Sequence, residues 1–322
     1  MSNPTVSVVI PTRDRPDDLA RCLDSIAVQT RLPHELILID DGALDRVPGA
    51  EALRSLGVQV VYRRKRTPGV TESRNLGIAL AAGSVVFLSE DDVILEPAYI
   101  AEIMRVFDAD PVGEVVGVGG IVSNERRGRL RSAIRLAVYV PLYLSALREG
   151  RLLRSGFAGE YGEAPIKIRQ TRQVDFLIGG VAAFRRTALA REQFSSRFQD
   201  ISGYGQGEDK DFSLRMRRWG QLFVSPYARL SHHPAAKQNY NQRGRGRAMV
   251  VSRYLLFNEH LLEKRWHWLL FAYSLASYTA INLLMGCLTW RCRQWDKVRG
   301  IRDGLAAILR GRFEAEPGDG QS

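Results

Sequence analysis

Three consecutive acidic side chains, Glu90, Asp91 and Asp92, follow the apolar run 85–88. Carboxylates this close together repel one another unless a cation lies among them. Mg²⁺ and Mn²⁺ prefer carboxylate oxygens, and such a cation can bridge and neutralise a diphosphate. The triplet therefore indicates a Mg²⁺ or Mn²⁺ site. The alternative is an acidic loop that only caps the next helix.

A second acidic pair, Asp40 and Asp41, ends the apolar run 35–39. A carboxylate at this position can accept a hydrogen bond from a base N–H or a ribose hydroxyl. The following Asp-Gly dipeptide also favours a turn by itself, so the pair alone does not distinguish binding from a turn. Arg74 could pair with a phosphate or with the clustered acids, or it could be an ordinary surface arginine at a helix start.

Two further groups lie in the second half of the chain. Glu208 and Asp209 follow a glycine-bearing loop and precede a helical pattern. A carboxylate at a helix N-terminus is stabilised as the anion and can act as a general base, with plain helix capping as the alternative. Imidazole is a common metal ligand, so either His232 or His233 could complete the coordination of a cation at Asp92. The alternative is a pair of surface or half-buried histidines.

Alternating strand and helix patterns position the groups of the first third. The runs that predict strands are 6–10, 35–39, 58–62 and 85–88, and those that predict helices begin near Pro16 and cover 71–81. This alternation predicts an α/β fold with a mostly parallel, Rossmann-like sheet flanked by helices. In such sheets ligands bind beyond the carboxyl ends of the strands. Both acidic groups, and Pro11 with Thr12, occupy such ends.

The middle of the chain is less regular. The glycine-rich run 115–122 predicts a strand, and residues 156–172 predict a loop. Residues 131–147 predict an amphipathic helix that Pro141 would kink or break. A further helix is predicted over 212–219.

Charge and cysteine content narrow the classes of partner and compartment. The 322 residues carry a net charge of +11, which favours an anionic partner, although a solvated basic surface is the alternative. Segment 126–172 holds 11 Lys and Arg against three acids, and segment 243–312 holds 13 against four. No nucleic-acid-binding motif accompanies this charge, so we expect no nucleic-acid partner. Three cysteines without a CxxC spacing argue against a disulfide framework or a zinc site and favour a reducing compartment.

Five segments occur in an order that resembles the family 2 glycosyltransferases of the GT-A fold. They are VSVVIPTRDRPDDLARCLDSI, ELILIDDG, GVTESRNLGI, VVFLSEDDVILEP and GQGEDKDFSLRMRRWG, and the likeness covers about residues 5–235. The resemblance implies an inverting enzyme that moves a sugar from a UDP-type nucleotide sugar to a glycan or lipid-linked acceptor. The resemblance also implies a place in polysaccharide biosynthesis of the cell envelope.

The resemblance also implies roles for the matching positions. The nucleotide-sugar site would comprise Pro11, Thr12, Arg15, Asp40, Asp41, Arg74, Glu90 and Asp91. Asp92 would be the ligand of Mn²⁺ or Mg²⁺, and Asp209, with Glu208 beside it, would deprotonate the acceptor hydroxyl. One departure from the family pattern concerns the acceptor side. Many relatives carry an Asn shortly after the turn at Gly179 and Gly180, whereas this chain has Val181-Ala182-Ala183 there.

Rival interpretations are a nucleotidyltransferase and a non-catalytic relative that binds nucleotides or associates with membranes. A nucleotidyltransferase usually has a glycine-rich, basic loop after its first strand, whereas residues 11–16 contain no glycine. The presence of Asp92 and Asp209 argues against a relative that has lost activity.

Residues 1–235 are expected to form the catalytic domain, with a donor half over about 1–115 and an acceptor half over about 116–235. Residues 236–322 are expected to form a helical, basic region. Its uncharged run 268–288 is long enough to span a bilayer but rich in polar residues. Tryptophans and basic residues flank the run on both sides, which favours a helix lying on the anionic cytoplasmic face of the plasma membrane. The alternative is a buried helix or a subunit contact.

Overall fold

Nine strands form one sheet in the computed structural model, which describes residues 4–124, 128–198, 206–234, 241–289 and 292–313. They are β1 (Val6–Thr12), β2 (Glu35–Asp40), β3 (Gln59–Arg64), β4 (Val85–Ser89), β5 (Val93–Leu95), β6 (Val115–Val122), β7 (Arg172–Val174), β8 (Val181–Arg185) and β9 (Gln221–His232). The strand order is β3-β2-β1-β4-β8-β6-β9-β5, and β7 pairs with β9.

The sheet is mixed. Strands β3, β2, β1 and β4 run parallel to one another, as the first third of the sequence predicts. Strand β8 runs antiparallel between β4 and β6, and β9 is parallel to β6. Strands β5 and β7 are antiparallel to β9. The predicted α/β class, a sheet flanked by helices with a helical C-terminal region, is confirmed.

Ten α-helices accompany the sheet in the described residues. They are α1 (Pro16–Ala27), α2 (Ala50–Ser55), α3 (Val70–Leu80), α4 (Tyr99–Asp108), α5 (Arg129–Ile134), α6 (Arg186–Leu189), α7 (Glu208–Met216), α8 (Gln242–Leu256), α9 (His267–Thr289) and α10 (Cys292–Arg310). A π-helix over Arg135–Tyr139 follows α5, a second over Phe257–Leu261 follows α8, and Ser196–Phe198 form a short 3₁₀ turn.

Two helical segments, the one that begins at Pro16 and the one predicted over 131–147, test the helix boundaries predicted from the sequence. Helix α1 begins at Pro16, where the proline needs no N–H partner, and its apolar stripe is buried in the core. The helix predicted over 131–147 ends earlier than Leu147, because its helical turns stop at Tyr139, and the break that was predicted at Pro141 is confirmed. A proline cannot donate the backbone hydrogen bond that would continue the helix. Tyr143 then adopts a left-handed backbone conformation with φ of 57°.

The register of the parallel strands brings the predicted site residues to one edge of the sheet. Thr12 at the end of β1 lies opposite Asp40 at the end of β2. Val9 of β1 lies opposite Leu88 of β4, so the residues after Leu88 leave the sheet at the same edge. All six residues of β2 are buried, which anchors Asp40 rigidly.

The chain divides into two compact units. The first comprises residues 1–126, 168–194 and 212–236 and contains the sheet; the second comprises 127–167, 195–211 and 237–322. A functional division at residue 235 stays a prediction.

The second unit has its own apolar core. It includes Leu144, Phe157, Val250, Tyr278 and Ile301. Helices α8 and α10 approach closely here because both carry glycines. A Cβ added at Gly246 or Gly300 would overlap the backbone of the opposite helix.

Candidate functional site

The end of β1 is hydrogen-bonded to the acidic triplet. Oγ1 of Thr12 donates to Oδ2 of Asp91 over 2.8 Å, and Nη1 of Arg15 lies 3.2 Å from carboxylate oxygens of both Asp91 and Asp92. Burial raises the pKa of Asp91, and the bonds from Thr12 and Arg15 offset this only in part. Burial acts to lower the pKa of Arg15, but the two carboxylates outweigh it and raise that pKa. The guanidinium therefore stays charged at the edge of the site.

The antiparallel pairing of β5 with β9 brings His232 to the acidic triplet. Val93 lies opposite His232 in the register, and the backbone N–H of His233 donates to the carbonyl of Asp92 over 2.8 Å. Nε2 of His232 lies 3.4 Å from Oδ1 of Asp92 and 3.9 Å from Oε2 of Glu90. The neighbouring His233 is exposed, and its ring lies 2.9 Å from Oγ of Ser231 instead.

This arrangement fits a divalent cation. The ligand atoms of Glu90, Asp92 and His232 all lie within 4.8 Å of one another. Oδ1 of Asp92 is buried and accepts no hydrogen bond from the described residues. Two carboxylates and an imidazole form a donor set that suits Mn²⁺ or Mg²⁺. The acids of the triplet and one of the two predicted histidines therefore meet in a single cluster.

The Glu90 carboxylate lies between His232 on one side and Arg74 on the other. Nη2 of Arg74, which is buried, lies 3.4 Å from Oε1 of Glu90, and its guanidinium lies 5.4 Å from the centre of the Phe194 ring. Burial raises the pKa of Glu90. The negative charges of Asp92 and Asp91 raise this pKa further, whereas Arg74 and His232 act to lower it. A Cβ added at Gly180 would overlap the Glu90 carboxylate. The glycine turn between β7 and β8 is therefore shaped around this side chain.

Asp40 organises the loop that follows β2. Its carboxylate is fully buried and accepts hydrogen bonds from the backbone N–H of Gly42 (2.7 Å) and of Leu44 (3.0 Å) and from the hydroxyl of Tyr62 (2.8 Å). A carboxylate with three such donors fixes the conformation of this loop, and a role of Asp40 in the nucleotide-sugar site stays a prediction.

Asp41 faces the start of α3. It accepts hydrogen bonds from Oγ of Ser73 over 2.7 Å and from the backbone N–H of Gly69 over 2.9 Å, and Nζ of Lys65 lies 3.4 Å away. Pro11, the remaining predicted residue of this edge, lies in β1 opposite Ile39. The first unit thus gathers eleven of the thirteen sequence-predicted site residues, and Glu208 and Asp209 belong to the second.

Glu208 and Asp209 occupy the first turn of α7 in the second unit. Oδ1 of Asp209 accepts a hydrogen bond from the backbone N–H of Lys210 over 2.8 Å. The glycine loop predicted over 198–207 lies mostly outside the described residues. A carboxylate in this first turn is stabilised as the anion by the helix dipole, so it can accept a proton from a hydroxyl group.

Sequence reasoning missed several contacts of the site. Lys65 directly follows β3, and Ser73 lies within the GVTESRNLGI segment, so the strand-end rule and the motif would have found them. Phe194, which packs under Arg74, carries no local signal in the sequence. It also stacks on Phe212, with ring centres 3.8 Å apart.

The first turn of α7 also carries Asp211, which forms a buried pair with His260. Nε2 of His260 lies 2.8 Å from Oδ1 of Asp211, and both side chains are buried. Ligand atoms of Asp211, Glu259 and His260 lie within 4.8 Å of one another, but Glu259 pairs with Arg197. Ion pairs within the unit account for this second group.

A profile of the family described as Glycosyl transferase family 2 matches residues 7–191, which is more than half of the chain. The chain belongs to glycosyl transferase family 2. The predicted enzyme class is thereby confirmed. This glycosyltransferase is 28% identical over 223 residues to a PGL/p-HBAD biosynthesis glycosyltransferase of Mycobacterium bovis (strain BCG / Pasteur 1173P2), a match that covers 67% of this chain and 85% of the relative.

Two solved structures resemble this glycosyltransferase in fold. A mannosyltransferase from Pyrobaculum calidifontis in complex with GDP-Man and Mn²⁺ has a TM-score of 0.53 and 18% identity, and the match covers 95% of this chain and 88% of that one. GalNAc-T7 with UDP, GalNAc and Mn²⁺ has a TM-score of 0.52 and 15% identity, covering 77% and 48%. The predicted GT-A fold is confirmed.

Proposed function

We propose that this glycosyltransferase moves a sugar from a nucleoside-diphosphate sugar of the UDP type to a hydroxyl group of a glycan or lipid-linked acceptor. The observation that carries the proposal is Oδ1 of Asp92, which is buried beside His232 and Glu90 and accepts no hydrogen bond within the part of the chain that the structure describes. A buried acceptor atom without a partner costs free energy, and a cation bound there would offset that cost.

Asp92 and His232 would hold Mn²⁺ or Mg²⁺, with the Glu90 carboxylate as the third ligand. When bound, the cation supplies neutralisation of the charge that develops on the leaving diphosphate. Both similar structures are described as Mn²⁺ complexes, which supports this assignment. Arg74 holds Glu90 against the cluster, and Arg15 keeps Asp91 and Asp92 in place from the other side.

The nucleotide would lie along the edge formed by the ends of β1 and β2. Pro11 and Thr12 would line the base pocket, and Asp41 would accept a hydrogen bond from a base N–H, as the imide of uracil offers. Asp40 supports this loop through its three hydrogen bonds. Asp91 would face the ribose or the sugar, because Thr12 and Arg15 already fix its orientation.

Asp209 would take the proton from the acceptor hydroxyl. It lies in the first turn of α7, where the helix dipole favours an anion, and Glu208 beside it adds a second carboxylate. The acceptor oxygen then attacks the anomeric carbon while the nucleoside diphosphate leaves from the opposite face. One displacement without an enzyme-bound intermediate inverts the configuration at that carbon.

We further propose that the second unit attaches the enzyme to the inner face of the plasma membrane. Helix α9 is long and apolar enough to cross a bilayer by length and composition, which alone is weak evidence. Its buried side includes Ser274 and Asn282, whereas its exposed side carries Leu269, Leu284 and Leu288. One apolar side facing outward suits a helix that lies in the interface. Trp290 and Arg291, which the sequence prediction used, lie outside the described residues.

Calorimetry with a panel of UDP- and GDP-linked sugars, with and without Mn²⁺, tests the donor and metal assignments. We expect a UDP sugar to bind only when Mn²⁺ is present, and we expect Asp92→Ala to abolish this binding while the melting temperature stays near that of the wild type. Asp45→Ala, in an exposed part of the loop after β2, serves as the control. Wild-type affinity in Asp92→Ala would contradict the assignment of Asp92 as a metal ligand. Tighter binding of GDP sugars than of UDP sugars would show that the donor carries guanine and not uracil.

Vesicle co-sedimentation tests the membrane attachment. The wild type should sediment with anionic vesicles, and Leu284→Glu with Leu288→Glu should stay in the supernatant. Val112→Glu changes a still more exposed apolar residue in the first unit and should have no effect. If the wild type does not sediment with anionic vesicles, the proposed membrane attachment is wrong, and the exposed side of α9 contacts something other than a membrane.

A further inference from the structure

The second unit contains a chain of contacts that links Lys210 to the interior of the C-terminal helices. Nζ of Lys210 lies 3.1 Å from Oε1 of Glu160, and Nη2 of Arg253 lies 3.7 Å from the same oxygen. The guanidinium of Arg253 lies 5.4 Å from the centre of the Phe157 ring, which packs on the Tyr278 ring at 5.8 Å.

Several polar atoms in this region have no partner among the described residues. Arg253 is 4% exposed, and neither its Nε nor its Nη1 makes a hydrogen bond. The hydroxyl of Tyr278, a residue that is 8% exposed, is likewise without a partner. Buried donors are almost always paired in folded proteins, so unpaired donors on two side chains that pack on the same Phe157 ring call for an explanation. A ligand that brings acceptor oxygens would satisfy them.

The charge around these atoms is strongly positive. Nζ of Lys297 lies 5.2 Å from the centre of the Tyr278 ring, and burial, followed by the charge of Arg245, lowers the pKa of Lys297. Glu160 is the carboxylate that both Lys210 and Arg253 approach. Burial acts to raise the pKa of Glu160, yet the surrounding cations outweigh it and lower that pKa. One carboxylate thus faces an excess of buried positive charge, which is costly unless an anion compensates it.

We propose that Arg253, Tyr278 and Lys297 form a binding site for a phosphoryl group of the acceptor substrate. A phosphoryl group offers several acceptor oxygens and up to two negative charges. These match the unpaired N–H groups of Arg253, the unpaired hydroxyl of Tyr278, and the positive charges of Arg253 and Lys297. The assignment to the acceptor rests on the proposed function, because Lys210 directly follows the proposed base Asp209 and joins it to this cluster through Glu160.

The shared chemistry admits two carriers, a soluble sugar phosphate or a lipid-linked phosphate. Tyr139, at the end of the first π-helix, packs on the core that holds Phe157 and Tyr278, and Leu136 and Val138 of the same π-helix are exposed. An apolar chain attached to the phosphoryl group would find apolar surface here. The experiment separates the two carriers.

Tyr278→Phe is the decisive variant. Because the hydroxyl that it removes has no partner, a site with only a structural role predicts an unchanged or raised melting temperature and no change in ligand affinity. Burial raises the pKa of Tyr278 to about 12, so the hydroxyl stays protonated and able to donate at neutral pH. Tyr273→Phe on the same helix is the matched control, since its hydroxyl donates to the Pro141 carbonyl over 3.1 Å.

Calorimetry of the full-length protein with inorganic pyrophosphate in EDTA gives the first readout. We expect saturable binding that weakens about ten-fold in Tyr278→Phe and about ten-fold in Lys297→Met, which is about 1.4 kcal/mol for each. Tyr273→Phe should bind as the wild type does. Binding that is absent, or that is unchanged in both variants, would overturn the site.

Vesicles that contain farnesyl phosphate, compared with vesicles of phosphatidylcholine alone, give the second readout. Retention on the farnesyl phosphate vesicles that depends on Tyr278 identifies a lipid carrier. Displacement of pyrophosphate by glucose 1-phosphate, without such retention, identifies a soluble one.

Sugar-nucleotide hydrolysis by the wild type, measured with Mn²⁺, separates a failure of the phosphoryl site from a failure of the proposed function. If hydrolysis occurs without pyrophosphate binding, only this site fails. If pyrophosphate binds through Tyr278 but no sugar nucleotide binds or reacts, the proposed function fails and the acceptor assignment falls with it.

Discussion

Nε2 of His232 lies 3.4 Å from Oδ1 of Asp92, whereas the ring of the adjacent His233 lies beside Ser231. The two histidines follow one another in an extended chain, and successive side chains of a strand point to opposite sides. The pairing of β5 with β9 selects His232 for the acidic cluster, because Val93, directly after Asp92, lies opposite it.

His232→Ala and His233→Ala therefore form a matched pair. We expect His232→Ala to weaken Mn²⁺-dependent nucleotide binding about ten-fold or more, because an imidazole ligand is lost. His233→Ala should stay within about two-fold of the wild type. Calorimetry with UDP and Mn²⁺ measures both, and equal losses in the two variants would contradict the assignment of His232 as the ligand.

Asp209→Asn should bind the donor normally and transfer sugar poorly. The amide keeps the shape of the side chain but cannot take a proton, so the loss falls on kcat and amounts to about 10²–10⁴-fold. Single-turnover kinetics with saturating donor measures this step. Glu208→Gln, in the same helical turn, should lose much less; turnover near that of the wild type in Asp209→Asn would remove the base role.

Asp211→Ala should act on stability rather than on chemistry. It removes the buried hydrogen-bond partner of the His260 ring nitrogen, so we expect a loss of about 1–3 kcal/mol in the free energy of unfolding. Urea unfolding followed by circular dichroism measures the loss. A change below about 1 kcal/mol would mean that the pair contributes little net stability.

Metal affinity should rise with pH over an unusually high window for carboxylates. Burial raises the pKa of Glu90 and of Asp91, so the folded, metal-free protein holds their protons above the ordinary carboxylate pKa of about 4. Their contribution to the stability of the metal-free protein therefore falls as pH rises through the raised folded pKa values. Metal binding needs the ionised carboxylates, so the increase in melting temperature caused by Mn²⁺ should grow over the same window.

Glu90→Gln should flatten this pH dependence, whereas Glu51→Gln, at an exposed position of α2, should leave it unchanged. A Mn²⁺ shift that stays constant between pH 4 and pH 8 would show that these carboxylates do not titrate with the metal.

The three cysteines should differ sharply in reactivity. Burial raises the pKa of Cys22 to about 12, with Asp91 and Asp92 adding to the shift, while Cys287 and Cys292 are exposed. Because the thiolate is the reactive form, we expect two thiols to react rapidly with a disulfide reagent at pH 8 and the third only after unfolding. Replacing Cys287 and Cys292 by serine should abolish the rapid phase, and any rapid reaction left in that variant would contradict the burial of Cys22.

The sequence by itself predicted the parallel half of the sheet and the edge at which ligands bind. Apolar runs such as 35–39 form buried strands wherever they occur, because a central parallel strand is covered on both faces. The turn residues that end those strands are local signals, so Asp40 and the triplet from Glu90 could be placed at one edge without coordinates. The family resemblance then gave the fold that the comparisons confirmed.

Only the tertiary structure decided the contacts that depend on strand register and on residues far apart in the chain. Neither sequence reasoning nor the motifs could choose between His232 and His233, because strand β5 is only three residues long and carries no pattern of its own. The packing of Arg74 on Phe194 joins segments that are more than 100 residues apart. The unpaired hydroxyl of Tyr278 likewise follows from how separate helices pack, which no local pattern shows. Local patterns fix which residues form strands and helices, but long-range packing fixes which side chains meet, and the candidate chemistry depends on those meetings.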